Sequence, residues 1–186
     1  MQKIKYSTDK NTDFIKELRK DVSDYFKKHD IAKQGNTHLT IKTIIMFLIY
    51  LLPYILMMAG VVTNIWAIFA MWALMGIGMA GMGMAVMHDA NHGAFSKNKK
   101  INNILGSTLY ILGGFPPNWK QQHNRKHHTY TNITGVDEDI APPAGILRFS
   151  PHQKQKKIHR YQYIYAWFFY GLMTLSWAVM KDFKQL

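Results

Sequence analysis

Five histidines fall in two short stretches, "HDANHGAFS" at 88–96 and "HNRKHH" at 123–128. His88 and His92 are four residues apart, as are His123 and His127, and His128 adjoins the second pair. On a helix, residues four apart project from one face with Cβ atoms roughly 6 Å apart. Both imidazoles of such a pair can turn toward one metal ion. A single HxxxH is a weak signal. Two of them between residues 88 and 128, one extended to HxxxHH, form a strong one.

The donor set narrows the chemistry. The chain has no cysteine, which excludes disulfides and thiolate ligation. The first pair reads His-Asp-Ala-Asn-His and lacks the glutamate base of HExxH. All-imidazole ligation suits iron, copper, nickel or zinc. Five histidines exceed the three that a catalytic zinc usually takes, so a two-metal cluster is their natural use. At a membrane surface, two histidine-bound irons can direct O₂ at an unactivated C–H bond of a lipid chain. Side-chain acid–base chemistry cannot do this.

The elements that must position these histidines are membrane helices. From Thr43 to Met87 there is no Asp, Glu, Lys, Arg or His. A membrane span needs roughly 20 apolar residues, and this run supplies two joined by a turn. The first is expected at about 43–61, with Pro53 inside it. Val62, Thr63 and Asn64 form the turn, and the second span runs 65–87, delivering His88 and His92 just clear of the lipid. Residues 101–117, "INNILGSTLYILGGFPP", are too short for a span and read as an interfacial segment ended by Pro116-Pro117. Residues 161–180 are long enough to cross, but "KDFKQL" behind them is basic; crossing and interfacial placements both stay open. The sequence predicts an all-α integral membrane protein: a transmembrane hairpin plus a cytoplasmic helical histidine-box region.

Residues 1–40 are a polar head in which Phe14, Leu18, Val22 and Phe26 recur every four residues, an amphipathic helix lying on the membrane surface or against the rest of the domain. The remainder, 41–186, is expected to be part of a single domain. Residues 1–42 carry ten basic and six acidic side chains, residues 88–160 eleven and four, and the inter-span turn none. Both ends of the hairpin are therefore expected in the cytoplasm. The formal charge of +12 is read as membrane-flanking lysine, not as a nucleic-acid surface. The polar first forty residues carry no pattern expected of a cleavable signal.

Other signals dissolve on inspection. Gly76, Gly78 and Gly81 fit GxGxxG but lie inside an apolar span with no strand before them. Gly76/Ala80 and Gly81/Ala85 are read instead as small residues for close helix packing. Asn132-Ile-Thr134 matches a glycosylation acceptor, on the wrong side of the membrane. His29 and His38 are expected in solvent, and His152 and His159 outside the site.

"HDANHGAFS" and "NWKQQHNRKHHTYTNITGVDEDI" resemble the first and second histidine boxes of the membrane fatty acid desaturases, most closely the acyl-CoA or acyl-lipid branch with linoleoyl-CoA desaturase-like bacterial enzymes. The later "HRYQYIYAWFFYGLMTLSW" is similar to that branch too. The resemblance implies O₂-dependent insertion of a double bond into a fatty acyl chain at a cytoplasmic di-iron site. It implies a cytochrome b5- or ferredoxin-type electron donor, and residence in the bacterial inner membrane or otherwise the endoplasmic reticulum. By resemblance His88, His92, His123, His127 and His128 are iron ligands. Asp89, Asn91, Asn124, Asp137 and Asp139 are candidates to hydrogen-bond imidazole N–H groups and fix their tautomers. Trp119 lines an acyl tunnel or anchors the interface.

One departure stands out. The family's third box, H/QxxHH, does not occur after His128. The chain is therefore expected to be the N-terminal part of a longer protein, a fragment or half of a split enzyme, with weak metal binding and no desaturation when isolated. Two alternatives stay open: a related histidine-box hydroxylase, and a non-catalytic membrane remnant.

Overall fold

The computed structural model describes residues 12–141 and 145–176, together with Ile4, Val179, Met180 and Phe183. Helix α1, Thr12–Lys28, precedes the membrane region. Helix α2, Thr37–Met58, starts six residues before the charge-free run. Its start is set by a cap, not by hydropathy: the Asn36 side chain accepts from the Leu39 N–H at 3.1 Å, satisfying a donor that the helix itself cannot. Pro53 is buried within α2, and the helix continues through it. The helix ends at Ala59, and Gly60 at φ 69° turns the chain back through a conformation costly for any residue with a Cβ.

Asn64 caps the return helix, accepting from the N–H groups of Trp66 at 3.0 Å and Ala67 at 3.2 Å. This helix, α3, is continuous over Ile65–Asn91. It is α-helical over Ile65–Gly81, π-helical over Met82–Met87 and α-helical again over His88–Asn91. Both α2 and α3 are long and apolar enough to cross a membrane. Their outer faces carry bare apolar side chains: Leu48, Leu52, Trp66, Phe69 and Trp72 are all exposed. An exposed apolar surface on this scale is a membrane or partner surface, not a water-facing one.

The two helices meet at glycines. A Cβ on Gly78 would lie 2.7 Å from the Tyr50 backbone nitrogen, and one on Gly81 would run into the Met46 side chain. Gly76, expected to belong to this stripe, has open space around its missing Cβ. The contact follows Gly81, as expected, and Gly78 in place of Gly76. Below them Met82, Met87, Leu109 and Leu112 form a buried cluster, flanked by Met46, Phe47, Tyr50, Met79 and Trp119.

Helix α4, Lys99–Gly106, is capped by Asn98 and tightens into a 3₁₀ turn over Ser107–Tyr110. Pro116 and Pro117, expected to end a segment, open helix α5, Pro116–Trp119. At the first helical positions their missing N–H groups have no intrahelical role to lose. Helix α5 runs directly into a π-helical segment, Lys120–His127. A 3₁₀ turn at Glu138–Ile140 and another at Lys157–Tyr161 lead to helices α6, Gln162–Gly171, and α7, Met173–Ser176. Gln162 ties the start of α6 to Arg148, accepting from its N–H at 2.7 Å and donating to its carbonyl at 3.2 Å. Of the segment 161–180, Trp177 and Ala178 lie outside the described residues, as does "KDFKQL" apart from Phe183. Every regular element among the described residues is helical.

Candidate metal centre

His88 and His92 sit at the end of α3, where the final α-helical turn brings their ring centroids to 4.5 Å. His123 and His127 sit in the π-helical segment after α5. Bonds closing at i+5 widen that helix and change the angle between residues four apart. Their rings accordingly stack, with centroids 5.1 Å apart and planes 17° apart. Pairs of the same sequence spacing are thus presented in two different ways.

The two boxes converge. His123 lies 5.2 Å from His88 and 5.3 Å from His92 by ring centroid. His88, His92 and His123 each offer a ring nitrogen, and these nitrogens all lie within 4.8 Å of one another. Metal–nitrogen bonds of about 2.1 Å put opposite ligands about 4.2 Å apart, so the trio is on the scale of one ion. His123, His127 and Asp139 make a second such group, sharing His123 with the first. His128 stands outside both groups, its ring 4.7 Å from His92 and 4.9 Å from His123.

Polar satisfaction tests whether a cation fits. The Nε2 atoms of His92 and His123 are shut off from solvent and have no hydrogen-bond partner among the described residues. An unsatisfied buried polar atom costs about 1–3 kcal/mol. On His123 the other nitrogen, Nδ1, faces Asp139 Oδ2 at 3.2 Å. A proton held there leaves the Nε2 lone pair bare, as a metal requires. Burial pushes the His92 imidazole down to about 4, helped by its neighbours His88, His128 and His123. Burial also lowers His123, against the opposing pull of Asp139. Both are therefore neutral at neutral pH, the form in which imidazole binds a metal. The residues fit the group.

Three of the five expected orienting residues touch imidazoles. Asp89 Oδ1 lies 3.0 Å from His88 Nδ1. Both Asp137 oxygens lie 3.1 Å from His127 Nδ1. Asp139 Oδ2 reaches His123 and, at 3.4 Å, His127. Asp137 is fully buried, which raises its carboxyl, but the N–H groups of Asn132 and Asp139 and the His127 ring outweigh burial and hold it below the usual carboxylate value. Asn132 adopts a left-handed φ of 63°, which turns its N–H onto Asp137 Oδ2 at 2.8 Å.

Asn91 and Asn124 act differently from expectation. Asn91 Nδ2 donates to the Gly106 carbonyl at 3.3 Å, and Asn124 Nδ2 donates to the Asn91 carbonyl at 3.0 Å. The end of α3 presses against glycine on α4, so Asn91 faces backbone and not a ring. Together the two asparagines hold the second box against the first. His29, His38 and His152 are exposed, while His159 bonds the Gly145 carbonyl at 3.1 Å, outside the cluster.

One residue, Gln122, escaped the sequence reading, and another, Trp119, makes a contact that reading did not foresee. Gln122 is buried and donates to Asp139 Oδ1 at 2.6 Å, steadying the carboxylate behind two imidazoles. Nothing in its spacing marks it. Trp119 stacks on His123 with centroids 4.5 Å apart. Its position four residues before His123 was the available signal. Lys126 pairs with Glu138 and pins the acidic turn to the π-helical segment.

Comparison with known proteins adds the family. The family described as "Fatty acid desaturase" matches residues 63–185, two thirds of the chain. The chain belongs to the fatty acid desaturase family. It is similar to the acyl-lipid (8-3)-desaturase of Physcomitrium patens, at 30% identity over 97% of this chain and 38% of that protein. It is similar to the sn-1 linoleoyl-lipid 6-desaturase of Synechocystis sp., at 33% over 95% of this chain and 48% of that one. The enzyme of the same name in Arthrospira platensis is 31% identical over 91% and 46%. The chain thus spans less than half the length of these curated relatives. No solved structure matches it. Membership in the desaturase family implies a metal cofactor, and the two apolar helices support membrane association.

Proposed function

We propose that the chain carries the histidine-box portion of an acyl-lipid desaturase, with His88, His92, His123, His127 and His128 holding two iron ions. The observation that carries the reading is the pair of buried, partnerless Nε2 atoms, one from each box, on His92 and His123. When bound, the irons would supply an O₂-driven removal of two hydrogens from an acyl chain, with two electrons from a cytochrome b5- or ferredoxin-type donor and two protons from the medium, so that two water molecules form. The protein's own part is positioning. Asp89, Asp137 and Asp139 face the Nδ1 atoms of His88, His127 and His123, and a proton held on each Nδ1 leaves the Nε2 lone pair for a metal. The end of α3 sets the boxes where the hydrocarbon region meets the interface, within reach of a lipid acyl chain. The charge pattern favours the cytoplasmic face, in the bacterial inner membrane or otherwise the endoplasmic reticulum. The relatives' names favour desaturation over hydroxylation.

The test is elemental analysis of the detergent-purified chain, paired with gas chromatography of the host's fatty acyl esters. Weakly held iron is expected in the isolated chain, lost in the His92→Ala/His123→Ala double variant. A wild-type chain that retains no iron would refute the metal assignment. Hydroxylated acyl esters in place of olefinic ones would convert the proposal to the hydroxylase reading.

A further inference from the structure

Helix α1 is amphipathic, and no other part of the described structure covers its apolar side. Phe14 is 62% exposed, Leu18 and Val22 47% each, and Tyr25 55%. At 100° per residue, Phe14, Ile15, Leu18, Val22, Tyr25 and Phe26 fall within an arc of about 120°. Lys20 and Lys27 lie on the opposite side of the helix, and Lys16 and Arg19 stand between the two. A stripe this apolar on an isolated helix has to be buried by something.

The rest of the chain says what. Only eight residues separate Lys28 from Thr37, where the membrane-spanning α2 begins. That link is fastened to the histidine end of the hairpin: the Gly35 N–H donates to the Ala94 carbonyl at 2.9 Å, two residues past His92. A Cβ on Gly35 would run into the Phe95 carbonyl, so the approach is close. Helix α1 therefore leaves from the same bilayer face as the two boxes. The exposed apolar surface also continues through Ile31, Ile41 and Ile44 into the lipid-facing side of α2.

We infer that α1 lies in the plane of the bilayer surface on the histidine-box side, with Phe14, Leu18, Val22 and Tyr25 inserted among the lipid chains. Its five basic and four acidic side chains nearly cancel, so apolar burial holds it there and a neutral membrane suffices. This placement is independent of the metal reading.

The chain contains no cysteine, which allows single labels at chosen positions. Leu18→Cys and Val22→Cys probe the apolar face, and Lys20→Cys and Lys27→Cys the polar one. Each labelled full chain, carrying an environment-sensitive fluorophore, is reconstituted in phosphatidylcholine vesicles containing spin-labelled acyl chains. The probes at 18 and 22 should be blue-shifted and quenched by the lipid label, and those at 20 and 27 quenched by aqueous iodide. Equal access of iodide to both faces would overturn the inference. So would probes at 18 and 22 shielded from both quenchers, since a protein surface would then cover the stripe.

Discussion

Asp137→Asn is the sharpest test of how the second box is held. The wild-type carboxylate is fully buried and accepts from the Asn132 N–H at 2.8 Å, the Asp139 N–H at 3.0 Å and His127 Nδ1 at 3.1 Å. An amide in the same place offers one oxygen and one NH₂. At least one of the three donors then faces another donor. A lost charge-assisted hydrogen bond costs about 1.5–3 kcal/mol, and an unsatisfied buried donor about 1–3 kcal/mol, so a destabilisation of about 3–5 kcal/mol is expected. The His127 ring can escape the clash by moving its proton to Nε2, which removes the lone pair that a metal would use. Loss of such an orienting partner typically costs 10–100-fold in metal affinity. The assay is iron(II) titration of the detergent-purified chain alongside its thermal midpoint, with Asp24→Asn on α1 as a control for charge alone. The depressed carboxyl adds a pH signature. Its stabilisation is complete above the ordinary value of 3.8 and disappears as pH falls through the lower folded value, a step that Asp137→Asn should lack. Wild-type metal affinity in an otherwise folded Asp137→Asn chain would refute the role given to this carboxylate.

Other consequences follow from the same geometry. In the metal-free chain His92 takes up its proton near pH 4 when folded and near 6.5 when unfolded, so stability should decline on acidification across that window; His92→Gln should flatten the decline in denaturation series at successive pH values. Gly78→Ala drives a Cβ against the Tyr50 backbone and should destabilise the hairpin by about 1–3 kcal/mol, while Gly76→Ala, in open space, should be neutral or mildly stabilising through helix propensity. Thermal unfolding in detergent separates the two. Gly106→Ala displaces the Asn91 side chain and should weaken metal binding with helix content unchanged by circular dichroism, although it alters no histidine.

Much of the fold was legible because a membrane imposes simple rules. The uncharged run over 43–87 foretold two long apolar helices, and Asn64 foretold the return. The start of α2 was misplaced because hydropathy marks where charge ends, whereas Asn36 marks where backbone donors are first satisfied. The histidine pairs were legible through their spacing, which survives both kinds of helix. The division of labour behind them was not. Asp137 and Asn91 are equally polar neighbours of a box, and only the fold decides that one meets an imidazole and the other a glycine carbonyl. Gln122 and the left-handed Asn132 depend on contacts made by a turn formed many residues later.

The π-helical stretch at Met82–Met87 changes what a deletion means. Such a stretch holds one residue more than an α-helix of equal span, which sets back the angular phase of everything beyond it by about 100°. Seven α-helical residues would return His88 to nearly the direction of Gly81, which presses on α2. The surplus residue turns the imidazoles away from the partner helix and toward the second box. Removing one residue from this stretch would let it close as an α-helix of the same span, with every ligand kept and His88 still facing the second box. Closing all seven residues as an unbroken α-helix would instead aim the first box at its own hairpin partner. The reading frame of this helix is rotational, and the wide closure of one turn keeps it.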